Sequence, residues 1–258
     1  MIKKTNCYKR MNDMITSVKN ETIKNIVKLQ KKKYRQQEQK FLLEGEHLIE
    51  EAIKSSWGIE TVIVAEGFTT QLELADITII EVASNVFEHM AQTKSPQGIL
   101  AVVHMEQLEP KRVNRVVMLD AVQDPGNLGT IIRTADAAGF DLVILGEGTV
   151  DIYNDKVIRS TQGSLFHIAI THANLAESIA KHKEQGFVVC ASTLEQAQPI
   201  QSLPQSEKMA LIVGNEGNGV QPQHVELANK RIHIPIIGQA ESLNVSVATG
   251  IMLYHMIL

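Results

Sequence analysis

RVVMLDAVQDPGNLGTIIRTADAAGFDLVILG, residues 115–146, carries the fold class in a single unit. Residues 115–122 form an apolar run without alternation, the pattern of a strand covered on both faces. A polar turn follows, then helical spacing from Asn127 to Ala138, a closing Gly139 and a second apolar run at 141–146. Two buried strands joined through a helix make a parallel βαβ unit, because parallel neighbours need a long crossover.

The alternation continues toward the C-terminus. A short helix is expected over 155–161, strands at 167–172, 187–193, 209–216 and 231–237, and a helix over 174–185. From Ser242 onward, Leu243, Val247, Ile251, Leu253, Tyr254 and Ile257 suggest a closing amphipathic helix. Toward the N-terminus, residues 107–112 are polar, contain Pro110 and break both neighbouring patterns, so they read as a linker. Before them lies a second α/β pattern. It has a helix from Ser17 to about Lys33, strands at 41–45, 61–67, 77–83 and 98–105, a helix over 46–55, and a short helix over 86–93 capped by Asn85. The expected organisation is a loose tail at 1–13 (or a start at Met14), a small α/β domain at 14–106, a linker at 107–112 and a parallel-sheet domain at 113–258.

The 258 residues are 44% hydrophobic and 21% charged, which excludes wholesale disorder. No apolar run approaches the ~20 residues of a membrane span, and the first residues lack the apolar core of a secretory signal. A cytoplasmic enzyme is expected. Two distant cysteines, Cys7 and Cys190, exclude a disulfide framework or a cysteine-built metal centre, and no His-Glu-x-x-His occurs, so no metal is expected. Cys190 reads as a small apolar filler. The net charge of −4 hides an asymmetry: residues 1–40 carry 12 Lys and Arg against 3 Asp and Glu, the rest 13 against 26. The cluster around Lys28, Lys31, Lys32, Lys33 and Arg35 is either a phosphate-binding patch or a solvated helix face.

Three loops follow strands directly, where open α/β sheets bind ligands. Residues 124–135 hold Asn127, Gly126, Gly129 and Arg133. Residues 212–219 place Gly214, Gly217 and Gly219 around Glu216, too many glycines for a simple hairpin, with no Gly-Lys-Ser/Thr for a phosphate cradle. Residues 234–246 run from Ile234, Pro235 and Ile236 into Glu241-Ser242-Leu243-Asn244, where Ser242 or Asn244 could simply cap a helix. Singly, each loop reads as an ordinary turn. A nicotinamide-binding oxidoreductase would need Gly-x-Gly-x-x-Gly, which 124–129 does not supply. A purely RNA-binding module would leave all three loops without a role.

Taken together, Asn127…Gly129…Arg133-Thr134-Ala135, Gly214-Asn215-Glu216-Gly217…Gly219 and Ile234-Pro235…Ser242-Leu243-Asn244-Val245-Ser246 resemble the SpoU (TrmH) branch of the SPOUT RNA methyltransferases over about 115–258. The preceding region, with Thr93-Lys94-Ser95-Pro96-Gln97-Gly98, is similar to the L30e-like substrate-binding domain of that family. The resemblance implies a trefoil knot at the C-terminal end of the sheet, S-adenosylmethionine as cofactor, a homodimer built through the SPOUT domain, and methyl transfer to a ribose 2′-hydroxyl. Ribosomal RNA is the expected substrate, with transfer RNA as the alternative. It further implies that Gly214, Ile234, Leu243, Thr193, Pro235 and Ile236 bind the cofactor, with Gly214 leaving room for ligand. Arg133, Asn127, Glu216, Ser242 and Asn244 would form the catalytic set, with Asn127 orienting Arg133 or the ribose. Arg133 would grip the adjacent phosphate, since an arginine pKa above about 12 makes a poor base. Lys28, Lys31, Lys32, Lys33, Arg35 and Arg159 would contact RNA.

Overall fold

The computed structural model describes residues 9–10, 13–74 and 77–258. The expected tail at 1–13 therefore lies outside the described residues apart from Lys9–Arg10 and Asp13, and Cys7 lies outside them altogether. Two compact units emerge. One holds the described residues up to Glu106 together with Tyr153–Phe166, the other Gln107–Ile152 and His167–Leu258.

The first unit begins with β1 (Lys9–Arg10), α1 (Glu21–Lys28), α2 (Lys32–Glu38), β2 (Lys40–Glu44) and α3 (Glu46–Lys54). It continues with β3 (Ile59–Ala65), β4 (Thr78–Val82), α4 (Ser84–Met90) and β5 (Ile99–His104). Its sheet runs β1-β4-β3-β5-β2, parallel across β1, β4 and β3, with β5 antiparallel to both β3 and β2. Ile23 and Ile26 on one side of α1, with Leu29 just after it, seal Ile63, Ile80, Leu100 and Val102 of the sheet.

The single helix expected over 17–33 is two. α1 starts where Asn20 accepts from the Thr22 amide and ends with Lys28 in its last turn, both favourable to a helix. The chain then turns because the buried Arg35 guanidinium donates to the carbonyls of Leu29 (3.0 Å) and Gln30 (2.8 Å). This corrects the sequence expectation for Arg35: it satisfies a helix end instead of facing RNA. The expected Asn85 cap is also replaced. Ala83 occupies the cap position of α4 without a side-chain bond.

The second unit holds β6 (Arg115–Leu119), α5 (Pro125–Ala137) and β7 (Leu142–Leu145). After α6 (Asp155–Thr161), which belongs to the first unit, come β8 (Ala169–His172), α7 (Leu175–Glu184), β9 (Val188–Ser192), β10 (Gln198–Pro199), β11 (Met209–Val213), α8 (Pro222–Leu227), β12 (Lys230–His233) and α9 (Val245–His255). The segment 153–166 is expected from sequence in the second domain. It instead lays Tyr153 against Phe41 (4.7 Å between centroids) and Phe166 against Trp57 (5.0 Å).

The seven-stranded sheet is parallel throughout, in the order β10-β12-β9-β11-β6-β7-β8. The chain lays down β6, β7 and β8 toward one edge and returns to place β9 on the other side. It then inserts β11 between β9 and β6, with Leu211 in register with both Cys190 and Val117. Cys190 is fully buried there, and burial pushes its thiol up to about 12 while nearby Lys230 opposes this, so it is the inert filler expected. β12 stops at His233, short of the expected 237, because Pro235 has no amide to give a ladder.

The closing helix departs from the amphipathic expectation. Ser246 and Thr249 are buried, their hydroxyls donating to Asn244 Oδ1 (2.6 Å) and the Val245 carbonyl (2.6 Å), along with Met252 and Leu253. Val247, Ile251, Tyr254 and Leu258 are exposed in a stripe.

Candidate active site

The carboxyl ends of four adjacent strands, β12, β9, β11 and β6, deliver Ile234, Thr193, Gly214 and Asp120 to one rim of the second sheet. This is where the strand order reverses direction, the position at which open parallel sheets bind ligands.

Loop one begins with Asp120, 1% exposed, followed by Ala121 in the left-handed region at φ 58°, which is unusual for a residue with a Cβ. The Asn215 side chain holds that conformation, its Nδ2 donating to the Ala121 carbonyl at 2.9 Å. Asp124 then caps α5 by accepting from the Asn127 amide at 2.9 Å, with Pro125 in the first turn.

Loop two contradicts the expectation that its glycines preclude a hairpin. Asn215 and Gly219 exchange both backbone hydrogen bonds (3.0 and 2.9 Å), and Asn215 Oδ1 accepts from the Gly217 and Asn218 amides. A Cβ on Gly214 would lie 1.9 Å from the carbonyl carbon of Gly219 and 2.1 Å from the amide nitrogen of Val220. The clearance at Gly214 thus serves the chain's own returning backbone, which corrects the expectation that it makes room for ligand.

The three loops meet at Asn127. Its Nδ2 donates to Glu216 Oε1 (3.1 Å), and its Oδ1 accepts from Asn244 Nδ2 (3.0 Å). Glu216 also accepts from the backbone amides of Asp124 (3.0 Å) and Gln123 (3.2 Å). Asn244 caps α9, its Oδ1 accepting from the Ser246 and Val247 amides. Partial burial opposes ionisation of Glu216, but these bonds from Asn127, Asp124 and Gln123 outweigh it and hold its carboxyl below the ordinary value. A carboxylate so stabilised is a poor proton acceptor near neutral pH and a good latch.

Arg133 stands apart. It is exposed on α5 and makes no hydrogen bond or ion pair among the described residues, so the expected orientation by Asn127, both of whose side-chain ends are committed, is not observed. Ser242 is exposed in the 236–244 segment and is not the helix cap. Thr193 follows β9, its amide donating to the Ile232 carbonyl and its hydroxyl accepting from the Glu195 amide. Ile234 and Pro235 are half-buried; Ile236 and Leu243 are 36% and 38% exposed.

The backbone of 234–243 makes no hydrogen bond within the described residues. An exposed stretch that combines free amides and carbonyls with apolar side chains suits a nucleoside, which wants an apolar slot and a few backbone bonds. S-adenosylmethionine fits that donor set, with Thr193, Ile234, Pro235, Ile236 and Leu243 as the residues that would hold it.

In the first unit, Lys31, Lys32 and Lys33 are exposed at the start of α2, and Lys28 reaches Asn25 Oδ1 at 2.9 Å. Arg159 on α6 is held by Asp155 at 2.8 Å.

Residues 114–254 match the SpoU rRNA Methylase family, and residues 20–101 the MRM3-like substrate binding domain. The chain belongs to the SpoU rRNA methylase family. Among its relatives, the 23S rRNA (guanosine(2553)-2'-O)-methyltransferase RlmP of Bacillus subtilis is 44% identical over 94% of this chain and 98% of its own length. An uncharacterized tRNA/rRNA methyltransferase of Synechocystis is 32% identical over 93% and 92%. The crystal structure of an AdoMet-bound rRNA methyltransferase from Sinorhizobium meliloti aligns with a TM-score of 0.85 and 32% identity, covering 95% of this chain and 97% of that one.

Within this SpoU domain, sequence reasoning missed the support under the second loop. Asp120 accepts from the Gln221 amide (2.8 Å), Gln221 Nε2 (2.7 Å) and the buried His224 Nδ1 (2.8 Å), which pins the end of that loop to the start of α8. A lone carboxylate closing an apolar strand was the signal available.

Proposed function

We propose that the chain transfers a methyl group from S-adenosylmethionine to a ribose 2′-hydroxyl of ribosomal RNA, with the guanosine matching position 2553 of 23S rRNA as the first candidate. The observation that carries this reading is the near full-length match, at 44% identity, to an enzyme named for that modification. A cytoplasmic location goes with that substrate.

The cofactor supplies an already activated methyl group, so the protein's tasks are to align the 2′-oxygen and ease loss of its proton. The Asn127–Glu216–Asn244 network locks three loops into one rim before any ligand arrives. Arg133, without a partner among the described residues and on the helix that starts at that rim, grips the phosphate next to the reacting ribose with its planar fork. Ser242 lines the reactive end, and Gly214 contributes backbone alone.

Residues 14–106 with 153–166 act as the RNA-gripping domain, and 113–152 with 167–258 as the methyl-transfer domain, with Lys28, Lys31, Lys32, Lys33 and Arg159 meeting phosphates. The segment from β11 to α9 is threaded as a trefoil knot. Two copies associate through α9, whose apolar stripe of Val247, Ile251 and Tyr254 is supported as an interface by its exposure of 41–53%.

The test is methyl incorporation from labelled S-adenosylmethionine into unmodified 23S rRNA transcripts, with the position read by reverse-transcription stops at 2′-O-methyl sites. Incorporation at one ribose of 23S rRNA is expected. Label found on a base, or only in transfer RNA, overturns the reading.

A further inference from the structure

The first unit contains a cleft of about 440 Å³ between α1, α2 and the face of the sheet they cover, inside the roughly 300–1,000 Å³ typical of small-ligand sites. Its floor is apolar: Ile26 from α1, Leu29 just after it, Ile80 from β4 and Val102 from β5. Tyr34 of α2 supplies one aromatic wall. The side chains of Tyr34, Gln37 and Thr61 line it and make no hydrogen bond among the described residues, so each keeps its full capacity for a ligand.

Charge decides what kind of ligand. Lys28 and Lys40 line the cleft, but so do Glu38 and Glu60, and Lys40 is ion-paired with Glu60. A phosphate would meet as many carboxylates as ammonium groups. A flat, neutral heterocycle with hydrogen-bonding edges suits an apolar floor, an aromatic wall and uncommitted amide and hydroxyl groups. The neighbouring Lys31, Lys32 and Lys33 are exposed and carry no carboxylate partner among the described residues, which suits the backbone of the same strand.

We propose that this cleft receives one unstacked nucleobase of the RNA substrate, with Tyr34 as its stacking face and Gln37 and Thr61 reading its edge. The proposal rests on the reading of the chain as an RNA-modifying enzyme. It adds that the first unit distinguishes single-stranded or bulged RNA from a continuous duplex, since paired bases cannot enter a cleft.

The experiment uses the full chain and two probes of equal phosphate number, a single-stranded oligoribonucleotide and a fully paired RNA duplex, in filter-binding titrations. Wild type is expected to favour the single strand. Tyr34→Leu should weaken single-strand binding about tenfold, within the usual range for one lost base–aromatic stack. Its duplex affinity and the salt slope of its binding should stay unchanged. Tyr34→Phe should retain most of the affinity. Gln37→Glu, an exposed change that leaves packing alone, should weaken the single strand by repelling acceptor-rich base edges. Wild-type single-strand affinity in both Tyr34→Leu and Gln37→Glu would overturn the proposal. So would equal losses on both probes. Methyl transfer by the wild type and its affinity for S-adenosylmethionine are measured alongside. Loss of those would refute the enzymatic reading while leaving the binding comparison intact.

Discussion

Three side-chain positions carry the clearest expectations. Gly214 admits no Cβ, because the backbone of Gly219 and Val220 fills that space. Gly214→Ala should therefore cost about 1–3 kcal/mol as an overpacked site, lowering the melting temperature as well as cofactor affinity. A variant that melts like wild type would show that the loop can open without cost. Glu216 has a lowered pKa in the folded state, so its contribution is fully present above the ordinary carboxylate range and is lost as pH falls through the lowered value. Thermal melts of wild type and Glu216→Gln should accordingly differ at neutral pH and converge in acid. A constant difference across pH would remove the ionised latch. For Arg133, the absence of any partner among the described residues leaves its fork open to substrate. Arg133→Lys should fail in single-turnover methyl transfer nearly as badly as Arg133→Ala, with cofactor affinity retained in both. Full rescue by lysine would mean that charge alone suffices.

At the level of elements, local chemistry makes most of the secondary structure legible. Asp155–Thr161 lies between Asn154 and Gln162 as its spacing suggests, and Asn174 caps α7 by accepting from the Glu177 amide. The departures come where a distant or buried group overrules the pattern. The Arg35 guanidinium divides one lysine-rich helical stretch into α1 and α2, and no local periodicity reports a side chain turning back onto carbonyls. α9 departs for another reason. Its apolar residues occupy both faces, so an amphipathic pattern can be drawn through them, although Ser246 and Thr249 are buried alongside Met252 and Leu253 while Val247, Ile251 and Tyr254 are exposed. That polarity carries a prediction. Ile251→Glu should convert a dimer to a monomer in sedimentation or light scattering, with little change in the fold of the single chain. Unchanged mass would refute α9 as the interface.

For the whole molecule, the three loops are legible because each directly follows an apolar strand, whereas their convergence on Asn127 is not. Pairing between strands is non-local: nothing in residues 209–213 announces that they lie between two earlier strands. Segment 153–166 illustrates the same limit, since its helix is foreseen but its attachment to Phe41 and Trp57 is not. RNA affinity should fall with salt, and neutralising Lys31, Lys32 and Lys33 together should flatten the log–log slope by roughly 0.7–0.9 for each phosphate that is no longer neutralised. An unaltered slope would make these lysines ordinary solvated charge. The insertion of β11 also bears on how the molecule is made. During synthesis β6 and β9 both emerge before the strand that must separate them, so for some time each presents an unpaired ladder to the other. A nascent chain that zips those two together has to unzip before Met209–Val213 can enter. The rim of loops cannot exist earlier than that step. In refolding from denaturant, helical signal should return first and cofactor binding last, and the delay between them measures how long the gap is held open.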